Sequence, residues 1–539
     1  MNEQIFTAGE NRLRRRARQY IDTHQLTAAQ TTLESLVQRL PGDVAARMEL
    51  AEVMLRRGLL QASTDQLLHV TQMLPDDAAL ITQLVQRLLH YGEIVAARAC
   101  LDRLAGLPDQ SASMLAAQAH LRWRLGEIQT SMTLMDRAIA AGVDTPDGHH
   151  MHAMLAQFTG DSSRAREILE SCLARWPRFG SAALALADLR QQTPGTQHLE
   201  FLQGQLGQLP VKSSDPAEQL NRARFEATLF KELDDLARYE EAWAALARSN
   251  ALMGALNPYD AMSETAVTDA LINQSESLSA ARAGPAPTFT GPTPIFIVGM
   301  PRSGTTLLDR MLSNHSQIIS AGEINDLLRQ LHWVADVAPS GIQGILEVIR
   351  RSPNIDFAML GARYLKQTQW RAQGHAFYID KLPINIQMVP FIRRALPHAP
   401  ILHMMREPMD VCFSNLRASF GDVSAYSNDT QTVAHYHGEY TRLTNQWRAT
   451  LPDGMLDVSY ASLVNEPDAA LRRVLEHCGL DVEEACLHPE RNAAPVATPS
   501  SVQVRESIHT RGLGRWRHYA AHLEPMRRAI ASRSPAATS

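Results

Sequence analysis

Between Gly299 and Thr306 the chain reads Gly-Met-Pro-Arg-Ser-Gly-Thr-Thr, which places Arg302 and the hydroxyls of Ser303, Thr305 and Thr306 around two glycines. Such a loop is suited to gripping phosphate. Gly299 and Gly304 allow close backbone approach, and N–H groups at a helix start converge with the helix dipole on an anion. The run IFIV, Ile295 to Val298, precedes the loop as a buried strand, and LLDRMLSNH follows from Leu307 as a helix. The spacing Gly299-x4-Gly304 imitates the nucleoside triphosphate loop, but Thr305 stands where that motif carries lysine. Thr306 could ligate magnesium, yet no apolar strand downstream ends in an obvious magnesium-binding aspartate, so a P-loop kinase is the weaker alternative.

Further strand-like runs, QIISAGE, AFYIDKLP, APILHMMRE and MLDVSY, alternate with amphipathic stretches, the pattern of a doubly wound parallel α/β sheet. Ligands of such sheets lie beyond the carboxyl ends of the strands, so the polar residues closing each run are the candidate site. Glu323 puts a carboxylate near a phosphate loop, where the ligand's charge would repel it unless it had a task; a helix cap before Asn325 is the alternative. Lys381 is one of four lysines (with Lys212, Lys231 and Lys366) among 52 cations, which favours a role for a compact point charge over a salt bridge with Asp380. Arg406 closes the fourth run and Ser414 lies two helical turns on; arginine binds phosphate bidentately and serine adds a donor.

The stretch PRSGTTLLDRMLSNH, with Gly322-Glu323 and the DKLP run at Asp380, resembles the sulfotransferase family that uses 3′-phosphoadenosine 5′-phosphosulfate (PAPS), from Ile295 to about Tyr519. Its nearer relatives are tyrosylprotein sulfotransferases and their bacterial repeat-containing cousins. The resemblance implies that Arg302, Ser303, Gly304, Thr305 and Thr306 hold the 5′-phosphosulfate and that Arg406 and Ser414 take the 3′-phosphate. It implies that Glu323 is the general base and that Lys381 stabilises the bridging oxygen. Tyr460 and the stretch from Pro499 would close over the donor, with Ser500 near the sulfuryl group and Arg515 near the nucleotide; an Arg-rich surface loop is the alternative for that stretch. The implied products are a sulfated hydroxyl and adenosine 3′,5′-bisphosphate, without a metal. Protein tyrosine, carbohydrate and small-molecule acceptors all remain open. A non-catalytic repeat scaffold with a relic nucleotide fold is the rival from another class.

The elements that position this site share a chain of 539 residues, too long for one core. In the N-terminal half Gly58, Gly92, Gly126 and Gly160 recur every 34 residues, each followed five positions later by Ser63, Ala97, Ser131 or Ala165, with Ala29 one period earlier. The LP segments at Leu40, Leu74 and Leu107 end successive units. The pattern resembles tetratricopeptide repeats, and RYEEAWAALARSNAL from Arg238 reads as a further unit. The expected organisation is an α-solenoid over 10–255, a linker over 256–293, the α/β sulfotransferase domain over 294–530 and a tail over 531–539. A solenoid's concave face suits a protein or peptide acceptor or partner, with a spacer or dimer surface as the plain alternative.

Net charge is only −5, which does not suggest a nucleic-acid or membrane-surface binder. Five scattered cysteines read as buried thiols rather than a zinc site. No membrane span and no secretory leader are expected, which suggests a cytoplasmic protein.

Overall fold

The computed structural model describes residues 7–280, 290–421, 423–498 and 501–533. The 34-residue period appears as successive antiparallel hairpins: α1 (Ala8–Asp22) with α2 (Leu26–Arg39), α3 (Val44–Arg56) with α4 (Leu60–Gln72), α5 (Ala78–Tyr91) with α6 (Ile94–Ala105), α7 (Ala112–Arg124) with α8 (Ile128–Ala140), and α9 (Pro146–Thr159) with α10 (Ser162–Arg175). Each of the four glycines adopts a left-handed conformation (φ between 81° and 99°) that turns the chain from the first helix into the second. The small residues behind them are fully buried where the two helices meet, and Ser63 and Ser131 donate to the carbonyls of Ala51 and Ala119 at 2.7 and 2.6 Å. A third series has the same period. Asp43, Asp77, Ser111 and Thr145 each cap the next hairpin by accepting a backbone N–H with the side chain.

The array continues less regularly through α11 (Gly180–Asp188) and α12 (Leu199–Gln208) to a longer hairpin, α13 (Pro216–Asp235) with α14 (Tyr239–Leu256). Beyond it, the expected linker over 256–293 is corrected in part, because α15 (Ala261–Ala280) is a helix packed in the core of the C-terminal domain. Its buried face mixes Val267 and Leu271 with Thr268 and Ser275, so burial leaves little apolar periodicity to read.

The C-terminal domain is built on five parallel strands, β1 (Thr293–Gly299), β2 (Ile318–Ser320), β3 (Phe377–Asp380), β4 (Ile401–Met405) and β5 (Leu456–Ser459), in the order β2-β3-β1-β4-β5. Alternate β1 residues feed two cores: Ile295 and Ile297 face one, Phe296 and Val298 the other. The connections after β1 and β4 leave in opposite directions, so the crevice at their carboxyl ends is the switch point where ligands of such sheets bind. Around the sheet lie α16 (Thr305–Leu312), α17 (Asp326–Val334), α18 (Gly341–Arg351), α19 (Phe357–Thr368), α20 (Val389–Ala395), α21 (Pro408–Leu416) and α22 (Thr430–Thr450). Among the described residues no helix is long and apolar enough to cross a membrane.

The two halves share one continuous core, in which Phe225, Phe230 and Leu246 of the repeats join Met409, Phe413 and Tyr519. Gly92, Gly126 and Gly160 lie at this seam. Gln330 Nε2 donates to Gly92 O at 2.8 Å, and the buried Glu93 accepts from Arg363 and, at 2.9 Å, from Gln367. A Cβ at Gly92 would fall 2.6 Å from Gln330 Nε2, whereas one at Gly58 would meet nothing. Gly58→Ala is therefore expected to cost only the left-handed strain, about 1–2 kcal/mol. Gly92→Ala should cost distinctly more; urea unfolding of the full chain showing equal losses would contradict this reading of the seam.

Candidate active site

The glycine loop is the sharp turn from β1 into α16. Gly299 is hemmed in by β4, since a Cβ there would sit 2.7 Å from Met404 O, and one on Gly304 would sit 2.5 Å from the Tyr460 ring. Between them Arg302 takes a left-handed conformation (φ 66°), which costs a non-glycine residue about 1–3 kcal/mol and is held by its surroundings. The loop's other contacts supply that hold: Arg406 Nη1 donates to Arg302 O at 2.8 Å, and Asn415 Nδ2 donates to Pro301 O at 2.8 Å. Gly304 caps α16, so Thr305 and Thr306 present the first helical N–H groups, which have no intrahelical acceptor. The Ser303 hydroxyl is buried in the loop without a hydrogen-bond partner. A glycine cradle, an unengaged hydroxyl and a helix start together fit a phosphate or phosphosulfate group.

Two guanidiniums border the cradle. Burial pushes the pKa of Arg302 down, the neighbouring charge of Arg406 pushes it further, and Arg406 itself is lowered by burial. Like charges gathered in a partly buried place favour an anion between them. Arg406 also lies over the Tyr460 ring, 4.8 Å from its centroid, and donates to Gly512 O, which ties the loop to the segment expected to close over a donor.

Glu323 and Lys381 meet beside the loop. Lys381 is fully buried and its Nζ donates to Glu323 Oε1, while the Glu323 side chain remains 39% exposed. The β2–β3 ladder aligns them: Ala321 N donates to Ile379 O at 2.9 Å and Lys381 N to Gly322 O at 3.0 Å. Neither plain alternative matches this arrangement, because Asn325 is the cap of α17 and Lys381 pairs with Glu323, not Asp380. Burial pushes the Asp380 carboxyl up to about 8, and it accepts from Tyr364 at 2.7 Å, so it does not compete for the ammonium.

Arg302, Gly304, Thr305, Thr306, Glu323, Arg406 and Tyr460 all line one cavity of about 830 Å³, within the range that holds a small ligand. Ser414 is half-buried on α21 and Arg515 lies to one side, and neither lines the cavity. Ser500 lies outside the described residues.

Three contributors were not read from the sequence. Asp309 of α16 accepts from Ser320 at 3.0 Å, and Ser320 accepts from Gly322 N at 3.1 Å, which fixes the turn carrying Glu323. The one signal is a carboxylate interrupting the apolar face of LLDRML. Asn415 holds the loop as described. Asp234 of α13 is buried and accepts from Arg515, from Tyr519 at 2.7 Å and from Arg417 at 3.4 Å, drawing the repeat array to the site's flank. Burial and the Arg515 charge push Arg417 down to about 10.

Residues 294–484 match the family model described as "Sulfotransferase family". This segment is similar to the sulfotransferase family. An uncharacterized protein of Aquifex aeolicus (strain VF5) is 26% identical over 379 residues, covering 68% of this chain and 48% of that protein. The protein-tyrosine sulfotransferase of Drosophila melanogaster is 25% identical over 240 residues, covering 41% of this chain and 46% of that protein. The chain thus spans about half the length of these relatives. Among solved structures, the sulfotransferase domain of the Synechococcus PCC 7002 olefin synthase is 22% identical, covering 46% of this chain and 96% of that chain at a TM-score of 0.31. A tetratricopeptide repeat protein of Parabacteroides merdae ATCC 43184 is 14% identical, covering 46% and 94% at 0.33. The fold assignment rests on the sheet order and the hairpins themselves.

Gly304→Ala should weaken binding of a phosphorylated nucleotide at this cradle by about tenfold or more, since the added methyl meets Tyr460. Calorimetry reads this directly, and unchanged affinity would contradict the cradle. Asp234→Ala leaves two arginines without their shared carboxylate and should cost about 3 kcal/mol, the low end for a broken buried pair because Arg515 can regain water. Chemical denaturation of the full chain showing no loss would contradict the role given to Asp234.

Proposed function

We propose that the chain transfers a sulfuryl group from PAPS to an acceptor hydroxyl and releases adenosine 3′,5′-bisphosphate. The observation that carries this reading is the Lys381–Glu323 pair beside the phosphate cradle, with the ammonium buried and the carboxylate open to the cavity. The donor supplies an activated sulfur whose bond to the 5′-phosphate oxygen can break. Ser303 and the helix N–H groups after Gly304 hold the phosphosulfate, while Arg302 and Arg406 balance its charge.

Glu323 takes the proton from the acceptor hydroxyl as that oxygen bonds to sulfur and the sulfur–oxygen bond to the 5′-phosphate breaks. Protonation of Glu323 removes the counter-charge of Lys381. The ammonium is then available to the departing oxygen when charge develops there, an electrostatic gain confined to the transition state. Ser414, Arg515 and Ser500 are proposed as further donor contacts. The name of the Drosophila relative supports a phenolic hydroxyl of a polypeptide as acceptor, with the repeat array recruiting the acceptor or a partner.

Glu323→Gln keeps the size of the side chain and loses the base, so kcat should fall by about 10²–10⁴-fold. Affinity for adenosine 3′,5′-bisphosphate should change little. Steady-state assay beside calorimetry separates the two, and full turnover in the variant would remove Glu323 from the mechanism.

A further inference from the structure

The cavity does not end at Glu323. It runs on past Ile342, Ile384 and Phe420 to a wall made by Tyr259, Glu264, Tyr426 and Tyr436, and so to the helix α15 and the turn that leads into it. Tyr426 and Tyr436 stack with centroids 3.7 Å apart and planes within 2°, and Tyr259 meets Tyr426 edge-on at 6.4 Å and 74°. Glu264 faces these rings and accepts from Gln387 Nε2 at 3.3 Å. The wall is tied to the reaction centre, because Tyr426 OH donates to Asn415 at 2.9 Å and Asn415 in turn holds Pro301 of the glycine loop.

Charge is divided along this cavity. Among the described residues, the arginines that line it are Arg302 and Arg406, both at the donor end; of the lining carboxylates Glu323 pairs with Lys381 and Glu506 with Arg511, while the tyrosine wall carries Glu264 and Asp260. Asp260 is occupied in capping α15 through Met262 N and Ser263 N. Behind the wall Glu439 pairs with Arg442, which also binds Asp269. Burial and the Glu439 carboxylate push Glu264 up to about 7, the behaviour of a carboxyl that lacks a cation. Aromatic faces beside a carboxylate are a recognition site for an ammonium group, through the ring quadrupoles and direct charge.

We infer that the distal end of the cavity is an ammonium subsite, in which Tyr259, Tyr426, Tyr436 and Glu264 select acceptors that carry a positively charged amine beyond the hydroxyl presented to Glu323. This rests on the sulfuryl-transfer reading and sharpens its acceptor class: an acidic acceptor meets carboxylates here, a cationic one meets its complement. Glu264 is a specificity residue, remote from the reacting atoms.

The full-length protein is first saturated with adenosine 3′,5′-bisphosphate and then titrated by calorimetry with tyramine, 4-ethylphenol and 3-(4-hydroxyphenyl)propionate, phenols that differ mainly in tail charge. Tyramine should bind about tenfold more tightly than either of the others. Glu264→Gln should bring tyramine to the affinity of 4-ethylphenol while leaving 4-ethylphenol unchanged. Tyr259→Leu should weaken tyramine selectively, and Tyr259→Phe, which keeps the ring, should not. N-acetyl-tyrosyl-lysine amide against its glutamate counterpart distinguishes the source: preference for the lysine peptide places the ammonium on a polypeptide, and binding of tyramine alone places it on a free amine. Equal affinities for the three phenols, binding of none, or a tyramine preference that survives Glu264→Gln overturns the subsite. Failure of the bisphosphate to bind in the first step overturns the donor reading instead.

Discussion

A lysine ammonium with no exposure to water must have a carboxylate, and the Lys381–Glu323 pair is the interaction around which the site is arranged. Burying the charge makes the pairing strong, and its carboxylate partner stays open to the cavity. The surroundings enforce the pairing. Asp309 and Ser320 fix the Gly322 turn, and Asp380, held by Tyr364 and pushed up by burial, leaves the ammonium to Glu323. Burial also pushes the Asp309 pKa up, with Lys381 opposing, so the cation is the local centre of charge.

The repeat array is part of this construction. It shares a hydrophobic core with the sheet domain, and its turns meet that domain through Gly92 and Glu93. The Phe158 carbonyl accepts from Val496 N and from Arg505 at 2.9 Å each, bracing Val496 and Arg505 near the cavity-lining Thr498 and Val504. Asp234 draws Arg417 and Arg515 onto the repeats. Removing the array would expose this shared core, so its role is better probed by single substitutions at the seam than by truncation.

The features legible in the sequence were those whose physics is local. A glycine loop between a strand and a helix declares itself within a dozen residues, and the 34-residue period needs only a count. The companion series of helix caps, Asp43, Asp77, Ser111 and Thr145, has the same period and is equally local. Glu323 and Lys381 could each be singled out, but their union 58 residues apart depends on β2 and β3 being neighbours at the sheet edge. Arg515 and Asp234 are 281 residues apart, and no pattern in either segment announces the contact. The α15 helix is hard to read from its residues because Thr268 and Ser275 interrupt its buried face, and the far wall of the cavity is hidden with it.

Movement of a sulfuryl group between oxygens in this cavity is tested by following the sulfur. With PAPS labelled at sulfur and a phenolic acceptor, the account predicts label in the acceptor in step with release of adenosine 3′,5′-bisphosphate, and loss of both in Lys381→Ala. Label appearing only as inorganic sulfate, or an intact donor after incubation with acceptors that bind, would contradict it.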